Sequence, residues 1–197
     1  MSIVVDHEKR RLEILEKVID VFVDEGYGNV TFKKIADRCN ITRTTLYIYF
    51  KNKKEIFNFS IRTLLSKVND NIQKICLDDS LGSIDKIIKI FIDVFNVFEE
   101  NRILLSVIFE FLLSQSKSTK DPQERIKRRT IKFRHILASL VIQGIKNGEI
   151  KAIEVSIIDG ILYSFIEAAI YRLVILQSNT VGDLKKITAA MVRQLGV

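Results

Sequence analysis

Residues 31–57 read TFKKIADRCNITRTTLYIYFKNKKEIF, and their punctuation divides them into three helical pieces. Thr31 is a good N-cap for a helix over 32–39, in which Phe32, Ile35 and Ala36 form an apolar stripe. Asn40 stands where that helix must stop, and asparagine tolerates the left-handed conformation needed just past a helix end. Thr42 caps a second helix over 43–49, with Leu46 and Phe50 pointing inward one turn apart. Asn52, followed three residues later by Glu55, has the spacing of a capping box for a third helix. A helix, a tight turn and a short second helix make a helix-turn-helix, whose second helix enters a DNA major groove with its N-terminal side chains toward the base edges.

Charge supports the same reading. The segment holds seven basic residues (Lys33, Lys34, Arg38, Arg43, Lys51, Lys53, Lys54) against Asp37 and Glu55, whereas acidic residues outnumber basic ones over residues 1–30. A compact positive island in an acidic setting suits a polyanion. On the second helix Arg43 suits guanine bidentately, and threonine hydroxyls and methyls suit base edges and the thymine methyl. Thr42, Arg43, Thr44, Thr45 and Tyr47 are therefore the candidate base readers. Lys33, Tyr49, Lys53 and Lys54 are the candidate phosphate contacts, the two lysines lying in the first turn of the third helix.

The segment resembles the DNA-binding domain of the tetracycline-repressor (TetR/AcrR) family of bacterial transcription regulators. The resemblance runs from about Glu13 through Phe57. It rests on Gly26-Tyr27 at the end of the first helix, Thr31, Ile35-Ala36, and the run Thr45-Leu46-Tyr47-x-Tyr49-Phe50 followed by Lys53-Lys54-Glu55. Two positions depart from the family's pattern: Asn40 replaces the usual turn glycine, and Thr44 stands where a smaller residue or proline is common. The resemblance implies a dimer on a palindromic operator and an effector pocket among the later helices.

The whole chain has 197 residues, 47% hydrophobic, with one proline, eight glycines, a net charge of +7 and a pI near 9.4. Apolar residues recur at three- and four-residue steps, and strand-type alternation is absent. The expected architecture is all-α, with helices over 7–26, 32–39, 43–49, 53–77, 83–99, 102–116, 122–147, 154–177 and 181–195. A DNA-binding domain over residues 1–52 and an effector-binding and dimerisation domain over 53–197 are the expected division. Asp121-Pro122 marks one helix start, and Thr180 with Asp183 reads as a further capping box. The N-terminus lacks the apolar core of a signal peptide, and Asp159, Glu167 and Arg172 interrupt the longest apolar stretch, so no membrane span is expected. Cys39 and Cys76 make no disulfide framework and fit a reducing cytoplasm. There is no zinc-ligand spacing, phosphate-cradling glycine loop or nucleophile elbow, and only two histidines, His7 and His135. Neither an enzyme nor a metal or cofactor is expected.

In the eighth helix Gly160, Ser164 and Ala168 form a smooth ridge flanked by Ile157, Ile161, Phe165 and Tyr171; the ninth adds Leu184, Ile187, Thr188, Met191 and Leu195. These helices either pack within one chain or form a homodimer seam, with Gly160, Ser164, Ala168, Tyr171, Ile187 and Met191 as interface candidates. Aromatic residues are abundant in the later helices. They are either core or, as the resemblance implies, the lining of a pocket for a small hydrophobic or amphipathic effector, with Phe91, Phe95, Phe98, Phe109, Phe133, Tyr163 and Glu167 as candidates. Glu110 falls on a polar stripe with Ser106, Ser114 and Lys117. A basic cluster (Lys117, Lys120, Arg125, Lys127, Arg128, Arg129, Lys132, Arg134) is either a solvated face or a site for an anionic effector such as an acyl-coenzyme A thioester. The expected function is a cytoplasmic, homodimeric, effector-responsive repressor of double-stranded operator DNA. The alternative is a DNA-binding protein of the same fold that is architectural or controlled by a partner.

Overall fold

The computed structural model describes residues 7–115 and 121–197, with side chains for all of these except 64, 67, 113–115 and 121–129. Nine α-helices follow one another among the described residues: α1 (His7–Asn29), α2 (Phe32–Cys39), α3 (Arg43–Tyr49), α4 (Lys53–Cys76), α5 (Ser83–Glu100), α6 (Arg102–Gln115), α7 (Asp121–Lys146), α8 (Val155–Ile170) and α9 (Gly182–Arg193). The all-α expectation holds, and most boundaries fall within a residue or two of those read from the sequence. The exceptions have local causes. Helix α1 continues past Gly26, but that residue takes φ 71° and ψ 157°, a conformation essentially reserved for glycine, so the chain kinks there. Helix α8 ends at Ile170 and passes into a π-helical turn, Tyr171–Ile175, before Gln177 closes it at φ 51°.

The described helices enclose two apolar cores. The first joins Ile14, Val18 and Phe22 of α1 to Ile35, Leu46, Phe50 and Phe57, and it is completed from a distance by Leu104, Val107 and Phe111 of α6. Phe57 sits at the centre of an aromatic cluster, with ring centroids 4.9 Å from those of Phe22, Tyr27 and Phe111. The second core is built from α4, α5, α7, α8 and α9, with Phe91, Phe95, Leu137, Leu162, Ala169 and Val192 at its centre. Cys39 and Cys76 are unpaired, and burial pushes both thiols above their ordinary value. No helix of the described residues is long and apolar enough to cross a membrane.

The expected Thr180–Asp183 capping box does not form. Helix α9 begins at Gly182, whose N–H, rather than that of Asp183, donates to the Thr180 hydroxyl at 3.1 Å, and Glu99 from the end of α5 adds to the cap. Its carboxylate accepts from the Val181 N–H at 2.6 Å and the Thr180 hydroxyl at 2.8 Å, and it pairs with Lys185. Asp183 pairs with Arg172 at 2.5 Å. Burial works to raise the Glu99 carboxyl, but the bonds from Lys185, Val181 and Thr180 together outweigh it and hold the group below its ordinary value. A depressed carboxyl contributes stability that is present above its unfolded-state pKa and lost as pH falls through its folded-state pKa. The Glu99→Gln variant is therefore expected to be less stable than the parent at neutral pH, with the gap narrowing below about pH 4.5. Denaturant melts from pH 7 to 3 measure this directly; a gap that stays constant with pH would remove Glu99 from the acid response.

Candidate nucleic-acid interface

The turn between α2 and α3 follows its sequence closely. The Thr31 hydroxyl accepts from the Lys34 N–H at 3.3 Å, and the Thr42 hydroxyl from the Thr45 N–H at 3.0 Å. Asn40 takes φ 53° and ψ 44°, and its N–H reaches back to the carbonyls of Ala36 and Asp37. The glycine usual at this turn is thus replaced at no cost to the backbone path. Asn52 caps α4 by accepting from the Glu55 N–H at 2.9 Å. Glu55 closes the box one residue early, accepting from the Lys51 N–H at 2.7 Å, and its other oxygen meets Arg11 at 3.3 Å. The Arg11 guanidinium lies 4.7 Å from the centroid of the Phe50 ring and 4.5 Å from that of Phe59, tying α1 to the end of the reading helix.

Leu46 and Phe50 are fully buried and hold α3 in place. Its opposite face is open: Arg43, Thr44, Tyr47 and Ile48 are exposed, and Thr45 and Tyr49 are half-buried. Tyr47 leans on Phe32 of α2 with ring centroids 4.7 Å apart, and Tyr49 packs on His7 at 5.3 Å. The Thr42 and Thr45 hydroxyls lie 2.8 Å apart and share one hydrogen bond, which leaves Arg43 and Thr44 as the more available polar groups among the sequence-derived base readers. A shallow depression of about 540 Å³ beside the turn is lined by Ala36, Asp37, Asn40, Ile41, Thr42 and Thr45.

The seven basic residues of the island separate into two groups. Lys34 pairs with Glu25, and Arg38 lies 3.9 Å from Asp24, so both attach α2 to the acidic end of α1. Lys53 also turns inward. Its ammonium donates to the carbonyls of Tyr27 at 2.9 Å, Gly28 at 3.0 Å and Val30 at 2.8 Å, and sits 4.7 Å from the Tyr27 ring centroid. The kink at Gly26 explains this, because carbonyls just past it need donors that the interrupted helix no longer supplies. Lys53, expected as a phosphate contact, is thus engaged as a backbone clamp in this structure. Lys33, Arg43, Lys51 and Lys54 form no ion pair among the described residues.

The remaining sequence-derived positions lie far along the chain. Phe91 and Phe95 are buried in the second core, with Phe91 packed edge-on to Phe133, and so do not face open space. Phe98, Phe109 and Phe133 are half-buried, and Glu167 and Glu110 are exposed. Tyr163 lies under Arg134, which chelates Asp159 with two donors at 2.8 and 2.6 Å. The open concavity of this region runs instead between α4 and α7. It has a volume of about 530 Å³ and is lined by Gln73, Cys76, Ile131, Lys132, His135, Ile136, Ser139, Leu140 and Gln143. Sequence reasoning missed it because a groove at a helix seam is set by where two distant helices meet. In the basic cluster, Lys117 and Lys120 lie outside the described residues, as do the side chains of Ser114, Arg125, Lys127, Arg128 and Arg129.

On α8 and α9 the expected ridge is open. Gly160 and Ser164 are exposed, and a Cβ built on Gly160 would meet nothing within 4 Å. Ile157, Ile161, Tyr171 and Ile187 are exposed around it, whereas Ala168 and Met191 are half-buried. Leu184, Thr188 and Leu195 face the core rather than the ridge, as does the half-buried Phe165. Among the described residues no cluster of three His, Cys, Asp or Glu side chains is placed to hold a metal ion.

Residues 14–58 match the model of the bacterial regulatory proteins of the tetR family. The HTH-type transcriptional regulator PksA of Bacillus subtilis is 29% identical over 107 residues, covering 54% of this chain and 52% of that protein, so the chain aligns with about half the length of this relative. An HTH-type transcriptional repressor of Mycolicibacterium smegmatis is 26% identical over 144 residues, covering 72% of this chain and 68% of that protein. Among solved structures, the regulator FadR of Bacillus subtilis in complex with stearoyl-CoA superposes with a TM-score of 0.68 at 22% identity, covering 94% of this chain and 97% of that one. Motif and reading-head geometry agree: residues 14–58 form a helix-turn-helix domain like that of the bacterial regulatory proteins of the tetR family, and the chain as a whole shares the fold of FadR.

Proposed function

We propose that this protein is a cytoplasmic, homodimeric transcriptional repressor that binds a short palindromic operator and is released by an amphipathic small molecule. The observation that carries the reading is α3 itself, anchored by the fully buried Leu46 and Phe50 while Arg43, Thr44 and Tyr47 face outward beside Lys33, Lys51 and Lys54. A charged rim with an open helix face is the combination that fixes a protein on phosphate and presents side chains to a groove. The relative named as a transcriptional repressor supports the sign of regulation. The open α8–α9 ridge supports a second copy: an isologous seam there would bury Ile157, Ile161, Tyr171 and Ile187 and give the two reading helices a twofold relation. A division near residue 52, with the reading head before it and the sensing and dimerising part after it, belongs to the same reading.

Each free cation that meets a phosphate adds to the salt dependence of binding, with a slope of about −0.9 per contact. Lys54→Gln is expected to weaken binding to all duplexes alike and to flatten that slope by about one unit. Arg43→Ala should in addition relax preference at one base position. Titration of labelled duplexes at several salt concentrations reads both effects, and unchanged affinity in both variants would withdraw α3 as the reading element.

For the effector, the α4–α7 groove offers an apolar floor of Ile131, Ile136 and Leu140 beside Lys132 and His135. That chemistry suits an acyl chain with an anionic head, and the fold's occurrence with stearoyl-CoA supports a long-chain acyl thioester as the first compound to try. Stearoyl-coenzyme A, but not coenzyme A alone, is expected to raise the melting temperature by mass action and to release the operator. A melting temperature unmoved at saturating thioester would exclude this class.

A further inference from the structure

Helix α3 presents more apolar surface than phosphate and polar base edges require. Ile48 is 64% exposed, more than any other described isoleucine, and it touches neither core. The sequence pattern groups it with Leu46 and Phe50 as an apolar position, but the helix turns it to the other side, one turn beyond Thr44 and beside Tyr47. The fold does not need it there. The neighbouring polar groups are also fewer than the sequence suggests, because the Thr42 and Thr45 hydroxyls bond to each other and Tyr47 is held against Phe32. The same reading head carries Arg43, Lys51 and Lys54, cations without ion pairs among the described residues, so its surface suits a partner that is anionic and also offers Ile48 an apolar contact. In a major groove the one apolar group on a base edge is the 5-methyl of thymine.

We propose that Ile48 is a specificity-determining residue that packs on a thymine 5-methyl in each half-site, with the Thr44 methyl beside it. This rests on the reading of the chain as a DNA-binding dimer, and the test separates the two. Duplexes are first selected from a randomised library with the full-length protein, and each thymine of the retained sequence is then replaced singly by deoxyuridine. That exchange removes the methyl and leaves every hydrogen-bonding group in place. At one thymine per half-site the parent protein is expected to lose about 4-fold in affinity, or about 15-fold when both half-sites are changed. Ile48→Ala should bind the thymine and deoxyuridine duplexes equally well, and Ile48→Val should retain part of the discrimination. Because the side chain is exposed, both variants are expected to melt with the parent. A retained half-site without thymine, or an Ile48→Ala variant that loses as much as the parent at every thymine, would overturn the assignment while leaving DNA binding intact. Failure to enrich any duplex would overturn the DNA-binding reading and this inference with it.

Discussion

Phe57→Ala is expected to lower the unfolding free energy by about 3–5 kcal/mol, the range for emptying a large aromatic site in a core. Phe57 is fully buried, and its ring meets Phe22 and Tyr27 of α1 and Phe111 of α6. The cavity would open where three helices converge, so no single element can collapse to fill it. Against a typical total of about 5–15 kcal/mol, such a loss leaves little of the folded population at elevated temperature. Denaturant melts at one fixed protein concentration would measure the difference. A loss below about 1 kcal/mol would mean that the aromatic joint is loosely packed and that α6 contributes little to the first core.

The second large effect concerns Lys53. Lys53→Met keeps most of the side chain's length and removes the charge, leaving the carbonyls of Tyr27, Gly28 and Val30 without their shared donor. Hydrogen bonds to a charged group contribute about 1.5–3 kcal/mol each in favourable cases, so a total loss of about 2–3 kcal/mol is expected for this part-buried clamp. DNA affinity should fall because the clamp positions α4 against the end of α1. Its salt slope should stay that of the parent, in contrast to the Lys54 variant. A slope that flattens by about one unit in Lys53→Met would show that the lysine leaves its carbonyls and takes a phosphate in the complex.

These two residues also show where sequence is sufficient and where it is not. Thr31, Asn40, Thr42 and Asn52 act on backbone groups three or four residues away, and all four are found in the roles that their chemistry and spacing imply. Short-range rules of this kind, repeated with apolar residues at helical steps, were enough for the helix order and for a reading head between residues 31 and 57. Lys53 differs because its partners lie 23 to 26 residues earlier and are created by the kink at Gly26. Glu99 differs for the same reason, capping a helix more than 80 residues later. The exposure of Ile48 is not legible in the sequence, because its apolar side chain looks like those of the buried anchors Leu46 and Phe50 in the same seven-residue helix. Burial and lining a void look alike in sequence, and of the pocket candidates Phe91 and Phe95 lie in the core.

One consequence of the first core bears on how such proteins diversify. The family-matched segment, residues 14–58, does not contain the whole of that core, because Leu104, Val107 and Phe111 arrive from α6. A chimaera carrying this reading head on a relative's body would inherit a foreign α6 against Phe22, Tyr27 and Phe57. Operator specificity is thus portable between relatives only together with three side chains some fifty residues downstream, and grafts that carry them across should outperform grafts cut at the motif's edge.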